Sequence, residues 1–255
     1  MGKKIIIANW KMQLGLTESV SLAKDLKKLF SKQADVVVCP SFVSLTEVAK
    51  VLKNSKIMLG GQDCFWEEKG AYTGEVSARS LKETGCEFVI IGHSERRINI
   101  GETDEMVNKK IQLALDIGLT PIVCVGENFE QRQHGSKEYV LISQATKAFQ
   151  GVNVSADQKV IIAYEPVWAI STSRVGQFIE PQEAEFSHQV IRQSLFDIFS
   201  STLVKNNFSI IYGGSVDGNN VNDFIHLENT AGALVGGASL KEESFKAVVN
   251  NIENK

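Results

Sequence analysis

Val160-Ile161-Ile162-Ala163-Tyr164-Glu165-Pro166-Val167-Trp168, residues 160–168, is a short apolar run that ends in a carboxylate and a proline. Both alternating faces of 160–163 are apolar, the pattern of a strand covered on both sides. Pro166 cannot continue such a strand, and it restricts Glu165 to an extended backbone. The stretch therefore reads as one carboxylate at the C-terminal tip of a buried strand, with a stiff segment beginning beside it. Taken alone, a strand-end glutamate is more often a solvated charge than a base. Its surroundings decide between the two.

Seven further runs of the same kind lie along the chain: Ile5–Ala8, Val36–Val38, Ile57–Leu59, Phe88–Ile91, Ile122–Val125, Ile210–Tyr212 and Ala233–Val235. Helical periodicity follows each one. Leu16, Val20, Ala23, Leu26 and Phe30 share a helical face, with Thr17 as its N-cap. Residues 43–52 and 78–84 read as helices. Thr103 opens a helix that aligns Val107, Ile111, Ala114 and Leu115, and Gly118 closes it. A helix is expected near 136–149. Pro181 suits the first turn of the next, which carries Ala184, Ile191, Leu195 and Ile198. Another lies near 217–226, and the last aligns Phe245, Val248, Val249 and Ile252. Eight βα units with doubly apolar strands imply a parallel sheet covered by helices. In 255 residues that is the size of a closed parallel (β/α)8 barrel. The rival is an open doubly wound sheet, which carries GxGxxG after its first strand. Here that position reads Asn9-Trp10-Lys11. With no Pro/Gly/Ser-rich linker and no composition break, residues 1–255 are expected to form one domain.

Composition narrows the function classes. A net charge of −3 without long charged blocks speaks against a nucleic-acid or anionic-membrane surface. The four cysteines, Cys39, Cys64, Cys86 and Cys124, are far apart and form no CxxC pair. They read as reduced, buried thiols of a cytoplasmic protein. Only four apolar residues follow Met1-Gly2-Lys3-Lys4 before Asn9, too few for a signal-peptide core, and no run approaches membrane-spanning length.

In a barrel of this type the site lies at the C-terminal face, on residues just beyond each strand. Those positions hold Asn9 and Lys11 after strand one, and His93, Ser94 and Glu95 after strand four. Glu165 follows strand six, Gly213-Gly214-Ser215 strand seven, and Gly236-Gly237 strand eight. Paired glycines after the last two strands let backbone N–H groups face a phosphate. The rest suits proton chemistry on a small phosphorylated carbonyl compound. Glu165 can take a proton from the carbon beside the carbonyl. His93 and Lys11 can stabilise the oxygen that becomes negative, and Asn9 can bond that oxygen or hold Lys11. Each residue has a bland reading, as loop histidine, solvated lysine or turn asparagine. At four strand ends of one fold, the bland readings lose jointly.

The chain resembles the triosephosphate isomerase family over nearly its whole length. The matching stretches are Ala8–Met12, Tyr72–Glu75, Ile91–Arg97, Cys124–Glu127, Ala163–Ile170, Tyr212–Val216 and Leu234–Leu240, seven motifs in the family's order. The resemblance implies a TIM barrel that interconverts dihydroxyacetone phosphate and D-glyceraldehyde 3-phosphate, a step of glycolysis and gluconeogenesis, with no cofactor and no metal. It implies Glu165 as general base and His93 as neutral electrophile, a pairing already established for that family. Lys11 is implied as cationic stabiliser with Asn9 beside it, and Glu95 as the lysine's partner when substrate is absent. Ser215, Gly236 and Gly237 correspond to backbone phosphate ligands. Pro166, Val167, Trp168, Ala169 and Ile170 begin a hinged lid that continues through Ser171, Thr172, Ser173 and Arg174. Segment 62–76, including Thr73, resembles the loop that inserts beside a partner subunit's site, so a homodimer is implied. Such a loop would expose Phe65, Trp66 and Tyr72 in a monomer.

One departure concerns the lid. The family's Ala-Ile-Gly-Thr-Gly-Lys is here Ala169-Ile170-Ser171-Thr172-Ser173-Arg174, and the far side is longer, through Pro181. Ser171 keeps the N–H that would bind phosphate, but a serine at positive φ costs about 1 kcal/mol or more relative to glycine. The intact Pro166-Val167-Trp168 hinge leads us to expect closure nonetheless. A weaker lid would release more of the enediolate as methylglyoxal. The rivals are another phosphosugar barrel enzyme, though no strand run offers a Schiff-base lysine, and a non-catalytic relative, though the base and both stabilising groups are present.

Overall fold

The structure, a computed structural model, describes residues 3–170 and 178–253. Eight parallel strands close into a barrel in sequence order: β1 (Lys4–Asn9), β2 (Ala34–Cys39), β3 (Ile57–Gly61), β4 (Phe88–Ile91), β5 (Thr120–Val125), β6 (Val160–Tyr164), β7 (Phe208–Tyr212) and β8 (Gly232–Val235). The α-helices are α1 (Leu16–Leu26), α2 (Phe42–Leu52), α3 (Ala78–Thr84), α4 (Ser94–Ile100), α5 (Asp104–Ile117), α6 (Phe129–Gln133), α7 (Lys137–Phe149), α8 (Pro181–Phe196), α9 (Ser201–Asn207), α10 (Val221–Ile225) and α11 (Glu242–Glu253). Closure requires β8 to lie against β1, with Ile5 paired to Gly232. A Cβ at Gly232 would stand 1.9 Å from the Ile5 carbonyl oxygen, so only glycine fits that seam.

Strand periodicity sorts the core into two layers. Ile7, Val37, Ile90, Ile122, Cys124, Ile161, Ala163, Ile211 and Leu234 cluster together inside the barrel. Their neighbours Ile6, Val38, Val89, Val123, Ile162, Tyr164 and Ile210 pack outward against the helices. Because successive side chains alternate, the inward parity of 161 and 163 carries on to Glu165, and that of Ile7 to Asn9. The strand pattern thus aims both residues into the barrel mouth. All four cysteines are buried and free.

The helix signals hold at most ends. Thr103 accepts from the Met106 N–H, Gly118 caps α5 in the left-handed conformation at φ 78°, and Pro181 is the first residue of α8. Phe245, Val248, Val249 and Ile252 are buried. Thr17 is not the N-cap of α1. The helix starts at Leu16 after Gly15, whose N–H donates to the Glu18 carboxylate at 2.9 Å. Leu16 and Phe30 also leave the expected apolar face, at 49% and 53% exposure: Leu16 is the first residue of α1, and Phe30 lies beyond its end at Leu26. Ile198 falls after α8, and α10 occupies only the C-terminal half of 217–226.

Candidate active site

Asn9, Lys11, His93, Glu165 and Gly213 line one pocket at the C-terminal mouth of the barrel, with Ile170, Gly214, Leu234 and Gly236 completing its wall. Five strand ends, those of β1, β4, β6, β7 and β8, therefore meet in one place.

Glu165 is 2% exposed. Its N–H donates to the Val125 carbonyl at 2.8 Å. A Cβ on Gly126 would stand 1.7 Å from the Glu165 carbonyl oxygen, and one on Gly213 would lie 3.0 Å from its Cγ. Its backbone is thus confined between the ends of β5 and β7, and glycine at 126 and 213 is what allows the approach. At rest the carboxylate accepts from the Ser94 N–H at 3.0 Å and lies 3.0 Å from His93 Nε2. Burial pushes the Glu165 carboxyl up, but the His93 ring, the Ser94 N–H and Lys11 more than offset it, leaving it below the ordinary glutamate value.

His93 precedes α4, and its Nδ1 accepts from the Glu95 N–H at 3.2 Å. An imidazole that accepts at Nδ1 carries its proton on Nε2. Burial pulls the His93 pKa down and the Glu165 carboxylate pulls it up, with the net above the ordinary value. Arg97 donates to the Gly92 carbonyl at 2.7 Å and bonds Asp104 at 2.7 Å, fixing the turn that delivers His93.

Lys11 pairs with Glu95 at 2.8 Å. Its backbone has φ 51°, unusual for a residue with a Cβ. Asn9 Oδ1 accepts the Lys11 N–H at 3.0 Å, the lysine-holding arrangement of the two considered for Asn9.

The phosphate side differs from expectation in one respect. The Ser215 N–H donates to the Ala169 carbonyl at 3.3 Å, so in this state it does not face an open anion site. Gly214 is required for packing, since a Cβ there would come within 2.1 Å of the Tyr212 hydroxyl. Gly236 lines the pocket, and Gly237 begins a short 3-10 turn through Leu240. Beyond Glu165, Val167–Ala169 form a 3-10 turn. Trp168 Nε1 donates to the buried Glu127 carboxylate at 2.7 Å, and Tyr164 donates to it at 3.2 Å. Burial holds Glu127 above the usual carboxylate value. Ser171, Thr172, Ser173 and Arg174 lie outside the described residues.

Two supporting residues were not singled out from sequence. Glu127 sits in a recognisable motif, but its role is visible only where its partners converge. Gln62, the residue after β3, bonds the backbones of Lys11 and Cys39, which no local pattern announces. Among the described residues, no group of three or more His, Cys, Asp or Glu side chains is arranged to hold a metal.

Compared with known proteins, residues 4–252 match the family model described as triosephosphate isomerase. A triosephosphate isomerase of Caldanaerobacter subterraneus subsp. tengcongensis is 48% identical over 98% of this chain and all of its own length. That of Dictyoglomus thermophilum is 44% identical over 98% of this chain and all of its own. That of Dehalococcoides mccartyi strain CBDB1 is 44% identical over the full length of both. With a closed eight-stranded barrel, five strand ends meeting in one pocket and matches that span the chain, the protein belongs to the triosephosphate isomerase family.

Proposed function

We propose that Glu165, His93 and Lys11 carry out the interconversion of dihydroxyacetone phosphate and D-glyceraldehyde 3-phosphate in this barrel, which we take as a single domain. The chain is an aldose–ketose isomerase. The observation that carries the residue assignment is the joint placement of a buried carboxylate, a ring with its proton on Nε2 and a lysine in one pocket. Glu165 removes a proton from the carbon next to the carbonyl and returns it to the neighbouring carbon. The His93 Nε2–H and the Lys11 ammonium stabilise the oxygens that gain negative charge in the enediolate. For this Glu165 leaves His93 and Ser94, and Lys11 exchanges Glu95 for substrate. Asn9 holds Lys11. Ser215, Gly236, Gly237 and Ser171 supply backbone N–H groups to the phosphate, Ser215 after giving up Ala169.

A coupled assay that starts from D-glyceraldehyde 3-phosphate should show rapid formation of dihydroxyacetone phosphate without added metal or cofactor, and undiminished after chelation. No turnover would refute the reading.

The homodimer has its own support. Met12, Ile98, Ile100 and Tyr72 are 93%, 65%, 67% and 43% exposed, while Phe65 is buried under Trp66 and Tyr72. The base of segment 62–76 is tied to both neighbouring segments, through Gln62 to Lys11 and through Asp63 to Arg96 at 2.9 Å. Exposed apolar groups thus stand on three segments joined at the base of 62–76, Met12 after β1, Tyr72 within 62–76 and Ile98 and Ile100 on α4, and Thr73 is exposed beside Tyr72. Sedimentation equilibrium should give twice the chain mass, and Tyr72→Asp should shift it toward the monomer. A wild-type monomer at micromolar concentration would sink the dimer. A cytoplasmic location is supported by the four buried free thiols. No helix among the described residues is long and apolar enough to cross a membrane.

A further inference from the structure

Lys11 is one of only two non-glycine residues at positive φ among those described. Its N–H is held by Asn9 at 3.0 Å and its ammonium by Glu95 at 2.8 Å. A third tether holds its carbonyl. Gln62 Nε2 donates to the Lys11 carbonyl at 2.8 Å and to the Cys39 carbonyl at 2.9 Å. The Cys39 carbonyl also accepts the Trp10 N–H at 3.1 Å. One primary amide therefore joins the turn after β1, at a residue with φ 51°, to the end of β2.

We propose that Gln62 is a positioning residue for Lys11, holding its peptide in the left-handed turn that delivers the ammonium to the pocket. The inference rests on the isomerase reading, which gives the ammonium its work. A single –NH2 with two hydrogens suits two convergent carbonyls. A carboxylate would oppose them with lone pairs, and an apolar side chain would leave the Lys11 carbonyl without its donor. Released from this tether, the peptide relaxes toward negative φ, because a Cβ disfavours the left-handed region. That rotation turns the Cα–Cβ bond and withdraws the ammonium from the reacting oxygen. Asn9 alone does not prevent it, since it restrains only the N–H side.

A double-mutant cycle tests this with Gln62→Met, Lys11→Met and the pair, each checked for an unchanged far-UV spectrum and thermal midpoint. Lys11→Met is expected to lower kcat/KM by about 10³-fold. Gln62→Met in the otherwise unaltered chain should lower it by about tenfold and raise the inhibition constant of inorganic phosphate. On the Lys11→Met background, Gln62→Met should change neither quantity by more than about twofold, because residues acting through one another are non-additive. Full activity in Gln62→Met overturns the proposal. So does the same tenfold loss in both backgrounds, which would mark a merely structural role. Gln62→Asn keeps the amide but falls one methylene short, and is read the same way where the methionine variant does not fold. If Lys11→Met itself retains activity, the role given to the lysine fails and the proposal falls with it. A loss in Lys11→Met with an additive Gln62 effect defeats the proposal alone.

Discussion

Glu165→Asp is expected to lower kcat by about 10²- to 10³-fold while leaving KM within a few-fold of its starting value. The reason lies in how firmly the backbone at 165 is held. Its N–H is fixed to Val125, and its carbonyl lies so close to Gly126 that no Cβ would fit there. Gly213 bounds its side chain on the β7 side. The main chain cannot advance to make up for a lost methylene, so the carboxylate retreats by about 1 Å from the carbon it deprotonates. Substrate binding relies on other groups, so the loss falls on kcat. Steady-state kinetics by coupled assay in both directions measures it. Turnover near that of the unaltered chain would refute Glu165 as the base.

His93→Gln should lower kcat/KM by about 10²-fold, the scale of removing one well-placed donor to a developing oxyanion. The ring is held in place by an N–H on Nδ1 and presents its proton on Nε2 from a buried, rigid position. Glutamine keeps a neutral N–H donor of similar reach but loses that fixing contact and gains side-chain freedom. His93→Phe, which keeps the ring volume without a donor, should be worse by a further factor of about ten or more. Phe equal to Gln would mean that the histidine acts through packing alone.

Much of this was legible in sequence, for identifiable reasons. The strands are apolar on both faces because helices cover one side and the barrel interior the other, and such a run reads the same in isolation. Thr103, Gly118 and Pro181 mark helix ends through local chemistry that tertiary structure did not override. Thr17 misled because the N–H donor at that end is Gly15, satisfied from three residues downstream by Glu18. Phe30 misled because helical spacing continues one turn past the helix. Within the site, Asn9, Lys11, His93 and Glu165 could be placed because barrel topology dictates that strand ends converge. Gln62 and Glu127 could not, since each earns its place through partners about 20 to 50 positions away. Glycines 126 and 213 were visible as residues, but the need for them is a distance between strands. The bond of Ser215 to Ala169 depends on a peptide 46 residues earlier, which no local pattern announces.

That bond links two processes. If phosphate takes the Ser215 N–H, as we propose, it competes with the Ala169 carbonyl at the root of the lid. Whatever factor anion occupancy contributes to freeing Ala169, freeing Ala169 must return to anion affinity, since coupling between two equilibria is reciprocal. On that proposal the triose phosphate would act as the effector of its own enclosure: its charged end, remote from the reacting carbon, would bias the segment adjoining Glu165.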